Sequence, residues 1–332
     1  MSHDSANGAV NSLQPAAARR TLTTDQRDLL SVSAILLLVV IIATITSGGT
    51  FLQPENLANV LQQNTVLIVL AMAQFIIILT GGVDLSVGSV VAFASVLFIG
   101  NLDHGMGAAF LIAVLAGALI GLLNGLLVVV VRLPSFVATL GSMQIIYSVS
   151  KLYTGGGTLH AGLGGAPIPD SFKAFFDLSL FGIPYPAYAF ILVFIIAAIY
   201  LRSSIGYFLY AIGNNANAVR LAGIPANRNK VLAYVFASAI TAVGGVLFAA
   251  RVSYGDPQAG LWLPLDTIAA VSIGGASLLG GRGTILATIF GVLIIAILNN
   301  TMNLIGISPT FQPAIKGIVI VLTVYLYSRR SS

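Results

Sequence analysis

The sequence predicts an all-α polytopic membrane protein with about ten transmembrane helices, and three observations support this fold class. Of the 332 residues, 57% are hydrophobic and only 8% are charged, whereas soluble domains carry about 25% charged residues. Apolar runs long enough to cross a bilayer, about 17–25 residues each, recur along nearly the whole chain. Once these runs are placed, the basic residues segregate to one side of the membrane, which predicts that both the N- and C-termini are cytoplasmic.

The apolar runs can be placed ten times. Their approximate limits are 29–48, 60–80, 84–101, 107–131, 135–153, 186–201, 231–250, 265–280, 284–302 and 312–328. The third, sixth and eighth runs are short or interrupted by glycine, so nine or eleven spans are alternatives. With ten spans, every Lys and Arg lies inside except Lys151, Lys173, Arg251 and Lys316, and a shift by one span would scatter the arginines over both faces.

Outside the spans, the chain has a polar tail and two long loops. Residues 1–28 form a cytoplasmic N-terminal tail that is too long and too polar to resemble a signal peptide, and residues 29–330 form a single transmembrane domain. The loop at 202–230 is predicted inside, and the loop at 154–186 is predicted on the outer face. The outer carboxylates indicate either a surface for a binding protein or an ordinary solvated face.

Several classes of function are excluded by composition. The chain has no cysteine, and its three histidines lack ligand spacing, so no metal site is predicted. The net charge of +5 includes no basic cluster larger than a pair, which argues against nucleic acid. None of the four lysines follows a glycine, as a nucleotide-phosphate loop requires. Energy for transport must then come from a separate ATPase, an ion gradient or the gradient of the solute.

The loop at 202–230 contains the signals of a short helix. Asn214 can accept hydrogen bonds from free N–H groups at its start. Gly223 can adopt the left-handed conformation that ends a helix, and Pro225 prevents its continuation. A helix this short needs a support, so we predict either a docking element for a soluble partner or a surface loop with one helical turn.

The second and third spans meet at a predicted helix break. Gly81 and Gly82 interrupt the helix, and Asp84 and Ser86 follow them at the start of the next one. An ionisable group at membrane depth is a candidate functional residue. The alternative is that Asp84 only satisfies backbone N–H groups near the inner surface.

Polar residues within the spans are candidates for a solute path. Gln63 and Gln74 are predicted to share a face of the second span, and Gln144 and Tyr147 a face of the fifth. Such groups fit a path for a hydroxyl-bearing solute, but they also fit hydrogen bonding between helices. The stripe of glycines at every fourth position, 117 to 125, is predicted to be a packing surface.

Five segments resemble the signature segments of the ribose-type permeases of bacterial ABC importers, in the branched-chain amino acid/ribose permease superfamily. They are GGVDLSVGS (81–89), LPSFVATLG (133–141), GNNANAVRLAGI (213–224), GLWLPLD (260–266) and AAVSIGGASLLGGRG (269–283). The resemblance runs from about residue 50 to residue 328. Each segment is weak by itself, but five in the order of the family are specific.

The resemblance implies a type II-like ABC importer permease in the bacterial inner membrane. It implies a homodimer or heterodimer, a periplasmic sugar-binding protein that delivers the solute, and a cytoplasmic ATPase that uses ATP and Mg. This chain would bind no cofactor and perform no catalysis. It would translocate a sugar or polyol by alternating access.

The resemblance also implies that residues 214–223 are the coupling helix that fits into the ATPase. The residues expected to carry this role are Asn214, Asn215, Ala218, Arg220, Leu221, Gly223 and Ile224. Ala216, Val219, Leu221 and Ile224 would pack on the partner. Two rival functions remain: an ion-coupled secondary transporter that uses Asp84, and a membrane enzyme, for which no cluster of catalytic residue types is present.

Overall fold

The computed structural model describes residues 24–160, 169–170, 178–181 and 183–318, and it is helical over most of their length. The named helices are α1 (Thr24–Thr46), α2 (Pro54–Leu79), α3 (Val87–Gly100), α4 (Met106–Val129), α5 (Ser135–Thr154), α6 (Tyr185–Arg202), α7 (Ser204–Leu221), α8 (Ala226–Val252), α9 (Leu263–Ile273) and α10 (Ile285–Leu304). Residues 312–318 are also helical. Four two-residue strands are β1 (Leu159–His160), β2 (Ser179–Leu180), β3 (Ile183–Pro184) and β4 (Tyr254–Gly255).

Six of the described helices are long and apolar enough to cross a membrane: α1, α2, α4, α6, α8 and α10. Two shorter apolar helices, α3 and α9, accompany them. These helices confirm the prediction of a mostly helical, polytopic membrane protein.

Most predicted spans overlap a helix, with corrections at their ends. The third predicted span (84–101) begins too early, since α3 starts at Val87. The eighth (265–280) ends too late, because α9 stops at Ile273 before a pair of glycines. Residues 1–23 of the predicted tail, much of the loop at 154–186 and the tenth span after residue 318 lie outside the described residues.

Helix α2 forms the centre of the core. Every residue of α2 from 65 to 79 is buried, as expected for a helix that is apolar on all sides. The helix packs against α6, α7, α8, α9 and α10. The C-terminal part of α2 is therefore enclosed by other helices, whereas most of residues 54–64 are exposed or half-buried.

Helices α4 and α8 make the most extensive helix pair in the described part of the chain. A side chain at Gly117 would meet Ser238 O at 2.8 Å, and a side chain at Gly125 would meet Val231 Cα at 3.0 Å. Gly121 lies equally close to the backbone of Tyr234. The glycine stripe is therefore a packing surface, which confirms its prediction.

The short strands join loops at one end of the bundle. β1 pairs with β4 in antiparallel register, with His160 opposite Tyr254, and β2 pairs with β3. The first pair ties the start of the loop at 154–186 to the connection between α8 and α9.

Candidate functional site

The break between α2 and α3 has a defined end. Gly81 has a φ of +72° and its N–H bonds Ile78 O at 2.9 Å, while the N–H of Gly82 bonds Ile77 O at 3.3 Å. This pattern is the glycine-terminated helix end that satisfies the last carbonyls of a helix. Residues 80–86, called the break segment here, therefore leave α2 at a fixed angle.

Side chains of neighbouring helices satisfy the backbone of the break segment. Val83 N donates to Ser135 Oγ at 3.1 Å, and Leu85 N donates to Thr139 Oγ1 at 3.0 Å. In the amide orientation that satisfies both groups, Gln74 donates to Asp84 O at 3.0 Å and accepts from Asp84 N at 3.2 Å. Gln74 is fully buried, and its two hydrogen bonds hold the backbone of the break segment against α2.

Asp84 uses its carboxylate locally. Its Oδ1 accepts from Ser86 N at 2.7 Å and from Ser86 Oγ at 2.6 Å. Asn124 of α4 donates to the same Ser86 Oγ at 2.9 Å. The carboxylate thus fixes the turn before α3, in agreement with the interpretation that Asp84 satisfies backbone groups at a helix start.

Four glycines bring three parts of the chain into backbone contact. Gly81, Gly213, Gly280 and Gly281, called the glycine junction here, belong to the break segment, to α7 and to the connection between α9 and α10. A side chain at Gly280 would meet Gly81 N at 2.6 Å and Gly213 Cα at 3.0 Å, and one at Gly213 would collide with Leu79 O and Gly281 N. Only glycine leaves room for this approach.

The loop at 202–230 contains more helix than predicted. Helix α7 begins two residues after α6 and runs from Ser204 to Leu221, whereas the sequence indicated about two turns. The backbone leaves the helical conformation at Asn215 (φ −159°, ψ 91°). Residues 204–214 contact the core through the buried Leu209 and Ile212. Residues 216–221 form a separate short helix, within the stretch called the coupling segment (214–223) here.

The cap of this short helix is Asn215, so the prediction that Asn214 caps it is wrong. Asn215 Oδ1 accepts from Asn217 N at 3.1 Å and from Ala218 N at 3.0 Å. Asn214 instead donates to Tyr210 O at 3.0 Å and to Gly281 O at 3.1 Å. The side chain of Asn214 faces the glycine junction. It is therefore turned away from the start of the short helix, and Asn215 caps that helix instead.

The predicted end of the helix at Gly223 is confirmed. Gly223 has a φ of +77° and bonds Arg220 O at 3.0 Å, and Ile224 N bonds Val219 O at 3.2 Å. This is the same glycine-terminated end as at Gly81. Pro225 follows and α8 begins at Ala226.

The coupling segment presents one large apolar side chain outward. Leu221 is 91% exposed, whereas Val219 is only 7% exposed, so the expectation that Val219 packs on a partner is wrong. Ala216 and Ile224 are half-buried against the core. Arg220 donates to Asn217 Oδ1 at 2.9 Å and is exposed, as are Asn215 and Ala218.

The four predicted path residues lie in different places. Gln63 lines a cavity of about 500 Å³ between α2, α8 and the connection to α9, called the Trp262 cavity here. Tyr147 is buried, with its hydroxyl 3.5 Å from Ala259 O in the cavity wall. Gln144 is exposed on α5, and Gln74 is hydrogen-bonded to the backbone of the break segment. The structure thus separates residues that the helical spacing had paired.

Sequence reasoning missed several residues that hold the break segment. Ser135 and Thr139 lie four residues apart on one face at the start of α5. The groups that they bind, Val83 N and Leu85 N, are more than 50 residues away in sequence. Lys230 of α8 lies 3.4 Å from Thr80 O and was noted only as a basic residue. No signal in the sequence pairs these side chains with residues 80–86.

The break segment and its flanking glycines contact all the signature segments. Ser135 and Thr139 lie in 133–141, Gly280 in 269–283, and Gly213 packs on Leu79 at the end of α2. At the other end, a side chain at Gly260 would meet Gly88 O at 2.8 Å, which joins 260–266 to the start of α3. The five segments therefore form one connected unit.

Comparisons of the sequence with known proteins identify its relatives. A family described as branched-chain amino acid transport system / permease component matches residues 56–324. The ribose import permease of Escherichia coli (strain K12) is 35% identical over 90% of this chain and 93% of its own length. The ribose import permease of Bacillus subtilis (strain 168) is 38% identical, with 90% and 92% covered. The galactose/methyl galactoside import permease of Haemophilus influenzae is 34% identical, with 91% and 95% covered.

No solved structure gives a significant match to the chain. The family match covers most of the chain, and the relatives are aligned over nearly their full length. The relatives are named as transport permeases, which confirms the prediction of a permease and not an enzyme. The chain is therefore a member of the family of branched-chain amino acid transport system / permease components.

Proposed function

We propose that this chain is the membrane-spanning subunit of an ABC importer for a sugar or polyol. The observation that carries the proposal is the glycine junction, because it connects an exposed, capped helix to the break segment and to α2. Its relatives are named for the import of ribose and of galactose or methyl galactoside. Transport, not covalent chemistry, is the function of this chain.

The coupling segment is the proposed contact with a cytoplasmic ATPase. Its short helix ends at Leu221, an almost fully exposed leucine, beside the exposed Arg220. Its base is fixed to the core through the Asn214 contact with Gly281 O. A force on the segment would be transmitted to the end of α2 and to the connection between α9 and α10, because the backbones at the junction are closely packed.

The distribution of charge supports ten spans with both termini cytoplasmic in a bacterial inner membrane. Lys230 and Arg282 lie by the glycine junction, next to Thr80 and Gly281. Arg251 bonds Gln63 O at 2.9 Å at the opposite end of α2. The larger basic group is thus on the side of the coupling segment, as the positive-inside rule requires.

In the proposed mechanism, a periplasmic binding protein delivers the solute to a dimer of permease subunits, identical or different. ATP closes the ATPase dimer and draws the two coupling segments together. Rigid-body rocking of the helices then moves the opening from outside to inside, as in a type II-like importer. ATP and Mg bind to the partner and not to this chain.

The test is uptake by proteoliposomes that contain the chain, its ATPase and its binding protein. We expect ATP-driven uptake of radiolabelled sugar that Arg220→Glu abolishes while the variant remains inserted and folded. An ionophore that collapses ion gradients should have no effect. Uptake without the ATPase, or labelling of residues 214–223 from the outside of intact cells, would contradict the proposal and favour an ion-coupled secondary transporter.

A further inference from the structure

We propose that the Trp262 cavity is a low-affinity site for an uncharged, hydroxyl-rich solute, a monosaccharide or polyol, at the end of the molecule opposite the coupling segment. This inference rests on the proposed function and deepens it, because it names the residues that contact the solute. The cavity volume of about 500 Å³ lies within the range of about 300–1,000 Å³ that is typical of small-molecule sites.

The position of the cavity suits the entry of a solute. Gln63 and Asn64 lie in the N-terminal half of α2, Arg251 at the end of α8, and Asn299 near the end of α10. Gln63 and Leu79 are separated by about 24 Å along α2, at about 1.5 Å per residue. The cavity therefore lies well away from the glycine junction, towards the N-terminal end of the central helix.

The lining combines an aromatic ring with hydrogen-bonding groups. Trp262 contributes to the cavity and is 76% exposed, so the face of its indole is available to a ligand. Around it lie the carboxylates and amides of Asn64, Asp256, Gln258, Asp266 and Asn299. These groups accept from and donate to hydroxyls, and the aromatic ring packs on the apolar face of a sugar ring.

Asn299 supplies an independent indication of a ligand. Its Oδ1 is buried and accepts no hydrogen bond from the part of the chain that the structure describes. Buried polar atoms almost always have a partner, and because Asn299 lines the cavity, rotation of its side chain would bring this oxygen to a hydroxyl of a bound solute. The neighbouring Asn300 differs, because it pairs with Asn56 at 2.9 Å.

The charges around the cavity are nearly balanced. Arg251, Asp256 and Asp266 all line the cavity, and Lys316 interacts electrostatically with Asp266. A balanced site gives no net attraction to an anion or a cation and thus favours a neutral solute. The apolar part of the wall, which includes Leu67 and Phe248, limits the number of hydrogen bonds, so the solute can leave.

The wall of the cavity is built on the signature segments. Asp256 Oδ1 accepts from Gln258 N at 2.8 Å, which orients the carboxylate. Gly260 packs its backbone on Gly88 at the start of α3. A movement of α3 would therefore displace the loop that carries Trp262 and change the affinity of the site.

The chain offers a direct probe, because Trp262 is its single tryptophan. We would place the purified full-length chain in nanodiscs and titrate it with D-ribose, D-galactose and myo-inositol while recording tryptophan fluorescence. At least one of these solutes should give a saturable change with a dissociation constant in the millimolar range. L-leucine, a solute of the class in the family description, should give none.

Variants then connect the signal to the lining. Asn299→Ala should raise the dissociation constant about tenfold, the effect of about one hydrogen bond. It should also raise the KM of ATP-driven uptake in the complete transporter. The matched control is Asn59→Ala, since Asn59 is an exposed asparagine of α2 outside the lining, and it should leave both quantities unchanged.

The outcomes distinguish this site from the proposed function. If none of the three solutes changes the fluorescence, or if only L-leucine does, the assignment of the cavity is wrong. The same holds if the uptake KM is unchanged in both Asn299→Ala and Asp256→Asn while ATP-driven sugar uptake continues, in which case the importer function stands. Absence of any ATP-driven sugar uptake by the wild-type complex contradicts the importer function itself.

Discussion

The backbone N–H of Gly281 donates to the carbonyl oxygen of Leu79 at 3.0 Å. This hydrogen bond joins the connection between α9 and α10 to the last residue of α2. Gly213 of α7 lies against both of these residues. Helix α7, the end of α2 and the connection between α9 and α10 therefore meet through backbone atoms, which leaves no room for a side chain at Gly213.

Gly213→Ala should destabilise the junction. The added methyl group would collide with Leu79 O and Gly281 N, and overpacking of this kind costs about 1–3 kcal/mol. We expect a lower thermal unfolding temperature in detergent and loss of ATP-driven uptake. The control is Gly141→Ala in α5, where a side chain meets nothing within 4 Å and no loss is expected. Equal stability of both variants would contradict the tight packing at Gly213.

Asn215→Ala should loosen the coupling segment without unfolding the protein. The substitution removes the acceptor for Asn217 N and Ala218 N, and loss of such a cap costs about 1 kcal/mol. Hydrogen exchange at residues 217–221 should become faster and coupled uptake slower. Asn215→Asp should restore both, because aspartate also caps.

The control for that experiment is Asn217→Ala. Asn217 accepts from the Arg220 side chain and caps no backbone N–H. If it accelerates hydrogen exchange as much as Asn215→Ala does, the cap assignment is wrong.

Leu221→Ser should weaken association with the ATPase and leave the permease stable. The side chain is 91% exposed, so the folded chain loses almost no packing, whereas an interface loses an apolar anchor of about 1.5–3 kcal/mol. Co-purification with the ATPase would measure the loss. Phe181→Ser is the matched control, since Phe181 is also 91% exposed but lies between β2 and β3. Equal binding by wild type and Leu221→Ser would argue against the coupling segment as the contact.

Gln74→Ala should act on stability and not on the choice of solute. The variant leaves the N–H and C=O of Asp84 without their partner, and each buried group left unsatisfied costs about 1–3 kcal/mol. We expect a lower free energy of unfolding. The uptake that remains should show the same preference between D-ribose and D-galactose as the wild type. Gln144→Ala, at an exposed position of α5, should leave stability unchanged. A changed preference in Gln74→Ala would show that Gln74 contacts the solute.

The predictions from sequence were accurate where local rules apply. Gly223 ends its helix as expected, because a left-handed residue followed by proline is a local signal. The cap was assigned one residue too early, since Asn214 and Asn215 are equivalent as sequence signals. The contact of Asn214 with Gly281 O decides between them, and that partner is far away in sequence.

In the candidate site too, the sequence predicted the helix on which a residue lies but not the partner of its side chain. Helical spacing placed Gln63 and Gln74 on one face of α2, yet one lines the Trp262 cavity and the other binds the backbone of Asp84. Spacing along a helix predicts which side chains share a face, but it does not predict which neighbour each side chain contacts. The residues that hold the break segment, Ser135 and Thr139, come from a different helix and were not paired with it.

The sequence by itself determined that this is a polytopic membrane protein of one permease family, because hydrophobicity, charge segregation and signature segments are properties of the linear chain. Only the tertiary structure decided which polar groups meet. In the low-dielectric interior each buried N–H and C=O needs a partner, and packing, not sequence separation, selects it.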